Sequence, residues 1–288
     1  MSTQAILERE RRYRRQVVIA SIVPLLLLVA AAAIQASGGA TSDLAPATLR
    51  SIDESSAPLI IGALIAGFGF LLLAVPLAYI FLAAHARSER MVKALLFLVV
   101  LGPVLFAAQG LLLAVGQADV AGQFVEQENG VGDIYTLATN LLEDNGLRNA
   151  ALVASSIAVL AIIFGMVYVG LWGVRTGLLT RFHGTLGMAL GASFILPPLT
   201  QITLPALLAW FMYFGLMLAG RTPKGRPPAW DVGEAVPPLG PGEEPRPVAA
   251  SASGDVIDGD ATEIPGVGEN PNAARRDRAK KRKRKRRR

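Results

Sequence analysis

Residues 184–220 form a run of 37 positions with no charged side chain, interrupted by Pro197, Pro198 and Pro205. As one straight helix the run would measure about 55 Å at ~1.5 Å per residue. The hydrocarbon core of a bilayer is roughly 30 Å thick. Absorbing the difference by tilt would need an angle near ~57°, outside the usual range of about 0 to 40°. The run therefore has to double back, and how it does so sets the threading of the whole chain.

Composition places the rest of the chain in the same solvent. Hydrophobic residues make up 52% and charged residues 17%, with a mean hydropathy of +0.44. Four further segments, residues 17–36, 58–84, 94–116 and 150–174, are free of Asp, Glu, Lys and Arg and long enough to span. A charge at a helix centre costs about 2.5 to 3.5 kcal/mol on insertion scales, so this segregation is the mark of transmembrane helices. The first segment could be read as a signal peptide cleaved after Ala36. Its apolar stretch, residues 17–34, exceeds the usual ~7 to 15 residue core, so it reads as a retained helix. The chain has no cysteine, so it has neither disulfides nor thiol chemistry.

Charge in the loops orients the bundle, because Lys and Arg stay on the cytoplasmic side of short loops. Residues 1–16 carry Arg9, Arg11, Arg12, Arg14 and Arg15 against Glu8 and Glu10, a basic cytoplasmic start. The loop around Asp43, Arg50, Asp53 and Glu54 is net acidic; the next has Arg87, Arg90 and Lys93 against Glu89. Residues 117–149 hold six carboxylates against Arg148 alone, an external loop, and the link with Arg175 and Arg181 returns inside. One crossing by the last run would put Arg221, Lys224 and Arg226 outside. Two crossings, with an outward turn at residues 197–203 where Pro198 breaks the helix, restore the rule. A re-entrant hairpin that enters and leaves on the cytoplasmic side satisfies the count equally well.

The expected fold is thus all-α: a polytopic bundle of six transmembrane helices over residues 17–220, the last two a Pro-broken hairpin, in the plasma membrane with both termini cytoplasmic. Residues 221–274 are rich in Pro, Gly and acid and read as a disordered linker. Residues 275–288 form a polybasic tail. It offers Arg275, Arg276, Lys280, Lys281, Arg282, Lys283, Arg284, Lys285, Arg286, Arg287 and Arg288 to anionic lipid head groups or to RNA phosphates. With no aromatic residue interleaved, base stacking is not expected.

In the external loop, Ile134, Leu137, Ala138, Leu141 and Leu142 share one helical face over residues 133–145, with Asp133 as cap and Asn145-Gly146 as stop. That helix is read as a lid on the bundle's outer mouth or an ordinary packed surface helix. Within the spans the polar groups are Gln35, Gln109, Ser155 and Ser156, read as interhelical hydrogen-bonding groups. Gly187 and Gly191 have GxxxG spacing, and Gly62 and Gly67 offer a second small-residue surface for helix packing. His85 and His183 sit at inner helix ends, where a shared haem or metal competes with a plain interfacial role; the interfacial role is the expectation, with no cofactor and no metal. Trp210, Phe211, Tyr213 and Phe214 read as packing or lipid-facing groups.

The motifs HExxH, GxSxG and the P-loop are absent from the sequence, and the expectation is a chain that is not an enzyme. The Ala, Gly and Arg-rich composition and the stretch GRPPAWDVGEAVP resemble uncharacterised multi-pass membrane proteins of high-GC actinobacteria, a resemblance that implies no activity. The basic tail is similar to that of ribosome-holding membrane insertases, but their intramembrane arginine has no counterpart here. The functional expectation is a non-catalytic scaffold or accessory subunit. Its partners would be the bilayer and anionic lipid, with ribosomal RNA, a membrane protein or a second copy also open. The alternative is an uncoupled small-molecule transporter or channel.

Overall fold

A computed structural model describes residues 2–37, 46–196, 200–223 and 225–236, and no strand occurs among them. The helices are α1 (Thr3–Ser37), α2 (Pro46–Glu54), α3 (Ser56–Arg87), α4 (Leu95–Gln127), α5 (Ile134–Asp144), α6 (Gly146–Arg175), α7 (Arg181–Ser193), α8 (Thr200–Leu218) and α9 (Ala229–Val232). Of these, α1, α3, α4 and α6 are long and apolar enough to cross a membrane. Apart from Ala94, the N-cap of α4, they contain the four charge-free segments and overrun them, because a helical backbone continues past the hydrocarbon once its side chains turn polar. Leu26, Phe68, Phe97 and Phe164 point outward and are more than half exposed. Such a surface is a liability in water and neutral in lipid.

The long helices pack as neighbours in chain order, α1 on α3, α3 on α4 and α4 on α6, with α7 on α6 and α8 on α1. Glycine sets how close they come. A Cβ built on Gly102 of α4 would lie 2.6 Å from Ile162 Cγ1 and 3.1 Å from the Ile162 nitrogen on α6. Between α6 and α7, a Cβ on Gly170 would sit 3.0 Å from the Gly184 carbonyl oxygen, and one on Gly184 would sit 3.1 Å from that of Gly170. Pro24, Pro76 and Pro103 are buried inside α1, α3 and α4. Each forgoes one helical hydrogen bond, which tightly packed neighbours make tolerable.

Past the apolar stretches a second, smaller core forms. Leu49 and Ile52 of α2, Ala121 and Phe124 of α4 and Ala138 of α5 are buried together, with Ile134, Leu137, Leu141 and Leu142 packed against them. The α5 helix matches its expected face, which lies on the projecting end of α4. The Asp133 side chain accepts from the Tyr135 and Thr136 amides. Asn145 does more than end α5: its side chain caps α6 by accepting from Arg148 N. The α2 helix was not expected; Leu49 and Ile52 after Pro46 are a short signal of the same type, fixed by an Arg50–Glu128 ion pair at 2.8 Å.

The 184–220 run doubles back, as its length requires. Pro197, Pro198 and Leu199 lie outside the described residues; α7 already ends at Ser193 and α8 is helical from Thr200, so the break between the arms comes earlier than the expected 197–203. Ser193 and Thr203 hydroxyls meet at 2.9 Å and join the two arms. The α7 helix has 13 residues, about 20 Å. It stops at mid-level: Phe194 meets Phe106, ring centroids 6.2 Å apart, and Phe106 is near the middle of the charge-free stretch of α4. At the far end of α8, Gly220 has φ +74°, with Arg221 N donating to Leu216 O at 2.9 Å and Gly220 N to Met217 O at 3.0 Å. This is a Schellman stop that needs glycine.

Disorder from residue 221 onward does not hold at its start. The segment after α8 contains α9, with Ala229 and Trp230 buried, because one tryptophan finds a pocket that the surrounding Pro and Gly residues give no hint of. The rest of the expected linker and the whole polybasic tail, residues 237–288, lie outside the described residues.

Two outcomes follow. A Cβ on Gly191 would lie 2.6 Å from Met166 Cβ, so Gly191→Ile should lower the unfolding free energy of the detergent-purified protein by about 1–3 kcal/mol. Gly110→Ala, where a Cβ meets nothing within 4 Å, should leave it unchanged or slightly raised. The Thr136 hydroxyl and the Thr136 and Tyr135 amides hold the Asp133 carboxyl below its ordinary value. Its capping contribution is then present above the ordinary carboxylate range and is lost as pH falls through the lowered folded-state value. Hydrogen-exchange protection of α5 should therefore drop between neutral pH and about pH 3, and Asp133→Ala should abolish that difference.

Candidate functional site at the amino-terminal end of the bundle

The start of α1, the end of α3, the α6–α7 link and the segment after α8 converge on one buried ion pair. Glu10 belongs to the arginine-rich first turns of α1, and Arg87 to the last turn of α3, where the helix dipole favours a cation. Their side chains are 6% and 0% exposed. A buried charge is tolerable only when its hydrogen bonds are made. Arg87 Nη1 donates to Glu10 Oε1 and to Ala83 O at 3.0 Å. Arg87 Nη2 donates to Glu10 Oε2 at 3.0 Å and to Ala229 O at 2.8 Å. Only Nε lacks a partner among the described residues.

Through the Ala229 carbonyl this pair holds the chain beyond α8. Trp230 lies under the Arg87 guanidinium, 5.7 Å from carbon to ring centroid, and stacks on Tyr79 at 5.4 Å and 5°. Its Nε1 donates to Leu178 O at 2.9 Å in the α6–α7 link, and the Tyr79 hydroxyl donates to Glu10 O at 3.1 Å. Gly233, at φ +77°, caps α9 beneath α1, where a Cβ would come 2.8 Å from Thr3 Cγ2. Finally, Val236 N donates to Thr176 O at 3.2 Å. The arrangement is a latch, lying across the end of the bundle. A cavity of about 50 Å³ remains beneath it, lined by Glu10, Arg11, Arg14, Tyr79, Arg226 and Trp230.

The expected packing glycines serve different partners. A Cβ on Gly187 would meet the Trp210 ring at 2.9 Å, whereas Gly191 faces Met166 of α6; Gly62 faces Ala31 and Gln35 of α1, and Gly67 faces Ala107 of α4. The lipid- or RNA-contact residues Arg275 to Arg288 are not among the described residues. His85 Nδ1 donates to Met91 O at 3.1 Å. His183 is buried and lies parallel to Trp210 at 4.4 Å, its backbone oxygen accepting from Trp210 Nε1 at 2.8 Å. Trp210, Phe211 and Phe214 are buried, whereas Tyr213 is exposed. Ser156 is exposed and donates to its own helix at Leu152 O.

Sequence reasoning counted Glu10 and Arg87 as loop charges on one side and left them there. Their common side was the available signal for the pair. Trp230 had one too, as a lone large apolar side chain in a Pro- and Gly-rich stretch. No family model, no curated protein and no solved structure matches the chain.

Arg87→Ala leaves Glu10 buried without its partner and should cost about 3–5 kcal/mol, read as unfolding of the purified protein in mild detergent. Glu10→Leu combined with Arg87→Met removes both charges and should recover most of that loss. An Arg87→Ala protein as stable as its parent would show that water reaches the pair.

Proposed function

We propose that this chain is a plasma-membrane scaffold or accessory subunit, non-catalytic, whose cytoplasmic end engages anionic lipid or a protein partner. The latch is the observation that carries the reading. It fastens residues 229–236 to α1, α3 and the α6–α7 link, at the end of the bundle that carries Arg9, Arg11, Arg12, Arg14 and Arg15 of α1. Those arginines and the basic residues 275–288 of the sequence both carry the charge that an anionic membrane surface attracts. Ribosomal RNA offers the same phosphate chemistry and competes for the same residues.

The threading follows from the same contacts. Trp230, after α8, bonds to Leu178, before α7, which supports a run that leaves and returns on one side and keeps both termini cytoplasmic. Counted as helices the bundle then has six, with α7 and α8 as the fifth and sixth. The mid-level end of α7 favours a re-entrant hairpin over a full crossing.

The cysteine-free chain allows a direct test with single cysteines and an impermeant thiol reagent. Val131→Cys should react in intact cells and Glu89→Cys only after permeabilisation, with Leu196→Cys and Ile202→Cys unreactive from outside. Labelling of Leu196→Cys in intact cells would mean a full crossing, and labelling of Glu89→Cys would invert the topology. Deleting residues 275–288 should leave the bundle inserted while reducing co-purifying anionic lipid or ribosomes. Unchanged co-purification would overturn the role given to the tail.

A further inference from the structure

We infer that the flank between the first turns of α1 and the last turns of α3 is a binding site for one anionic phospholipid, with its phosphate at Arg9 and an acyl chain along Val17 and Val75. The inference rests on the proposed topology, which puts this end of the bundle at the cytoplasmic membrane surface.

A groove of about 320 Å³ opens there, lined by Arg9, Tyr13, Gln16, Val17, Val75 and Ala78 among others. That volume falls within the roughly 300–1,000 Å³ usual for ligand sites. The groove exists because α3 presents alanines, Ala78 and Ala83, where larger residues would close on α1. Polarity is graded along it. Arg9, Tyr13 and Gln16 occupy one end, and Val17 opens the charge-free run of α1 at the other, so the boundary between head group and hydrocarbon falls inside the groove. Ile19, Leu71 and Val75 beside it are exposed, as a lipid-facing wall requires.

Charge selects the occupant. The one carboxylate in the lining, Glu10, is taken up by Arg87 on the other flank of α1. Arg9 has no acid partner among the described residues. Its Nη2 donates to Leu82 O at 3.3 Å, which pins the guanidinium at the rim and leaves its other N–H groups for a phosphate. Arg12, one turn further on and exposed, adds a second cation on that side, and the Tyr13 hydroxyl and Gln16 amide supply neutral donors. A zwitterionic head group would bring its own cation to this rim and gain less.

The test uses the full chain in mild detergent, alongside a chain lacking residues 275–288, with phosphatidylglycerol and phosphatidylcholine as probes in native mass spectrometry. One phosphatidylglycerol per protomer should be retained by both proteins, and phosphatidylcholine by neither. Arg9→Gln with Arg12→Gln should weaken retention about tenfold, the effect of losing charge-assisted hydrogen bonds. Ala78→Leu should block it by filling the floor, provided the variant melts with its parent; if it does not fold, the arginine pair decides.

Loss of all retention on tail deletion would assign the lipid to the tail and overturn the groove while leaving the scaffold reading intact. Equal retention of phosphatidylcholine would mean ordinary surrounding lipid, and unchanged binding by the arginine variant would put the site elsewhere. Full displacement of phosphatidylglycerol by inorganic phosphate would overturn the acyl-chain half of the inference.

Discussion

Helices that meet in a bilayer gain no hydrophobic free energy from leaving lipid, so this bundle depends on how closely its backbones can approach. Gly102 lets α4 touch the Ile162 backbone on α6, and Gly170 and Gly184 bring the α6 and α7 backbones into mutual contact. Dispersion accumulates only at such distances. That is why a methyl group at these positions has no free space, whereas leucines and phenylalanines on the outer faces are unconstrained. The apolar character of the spans decides that they enter lipid, and the glycines decide how they are arranged there.

At the amino-terminal end the physics changes from packing to charge. Glu10 and Arg87 can be buried because every Nη proton of the arginine finds an acceptor, one of them the Ala229 carbonyl of a segment far along the chain. The ion pair therefore needs the latch as much as the latch needs the ion pair. Trp230 completes the closure by covering the guanidinium with its ring while its indole nitrogen reaches Leu178 O. Removing α9 would leave Arg87 short of an acceptor in a buried place. The proposed function starts from this rigidity: the latch holds the chain as far as Val236, which donates to Thr176 O, at the end of the bundle that carries the α1 arginines. The groove proposed for lipid lies at this end too, between α1 and α3.

The sequence alone determined which segments are compatible with lipid, because charge is excluded from a hydrocarbon core whatever the neighbours are. It also determined that residues 184–220 must double back, since their length exceeds the core, and that α5 presents one apolar face, since helical periodicity is local. Asp133 and Asn145 were legible as helix-end residues for the same reason. What only the tertiary structure decided are the pairings between segments distant in the chain. Gly187 and Gly191 share a spacing yet face α8 and α6 respectively. Gly102, Gly170 and Gly184 make backbone approaches as close as that of the expected Gly62, with no motif of their own. Glu10 finds Arg87, and Trp230 finds Arg87, Tyr79 and Leu178. The physical reason is that such contacts depend on which helix faces lie opposite each other, and the rotation of each helix about its axis is set by its neighbours together. In chains apolar all round, no hydrophobic stripe records that rotation in advance.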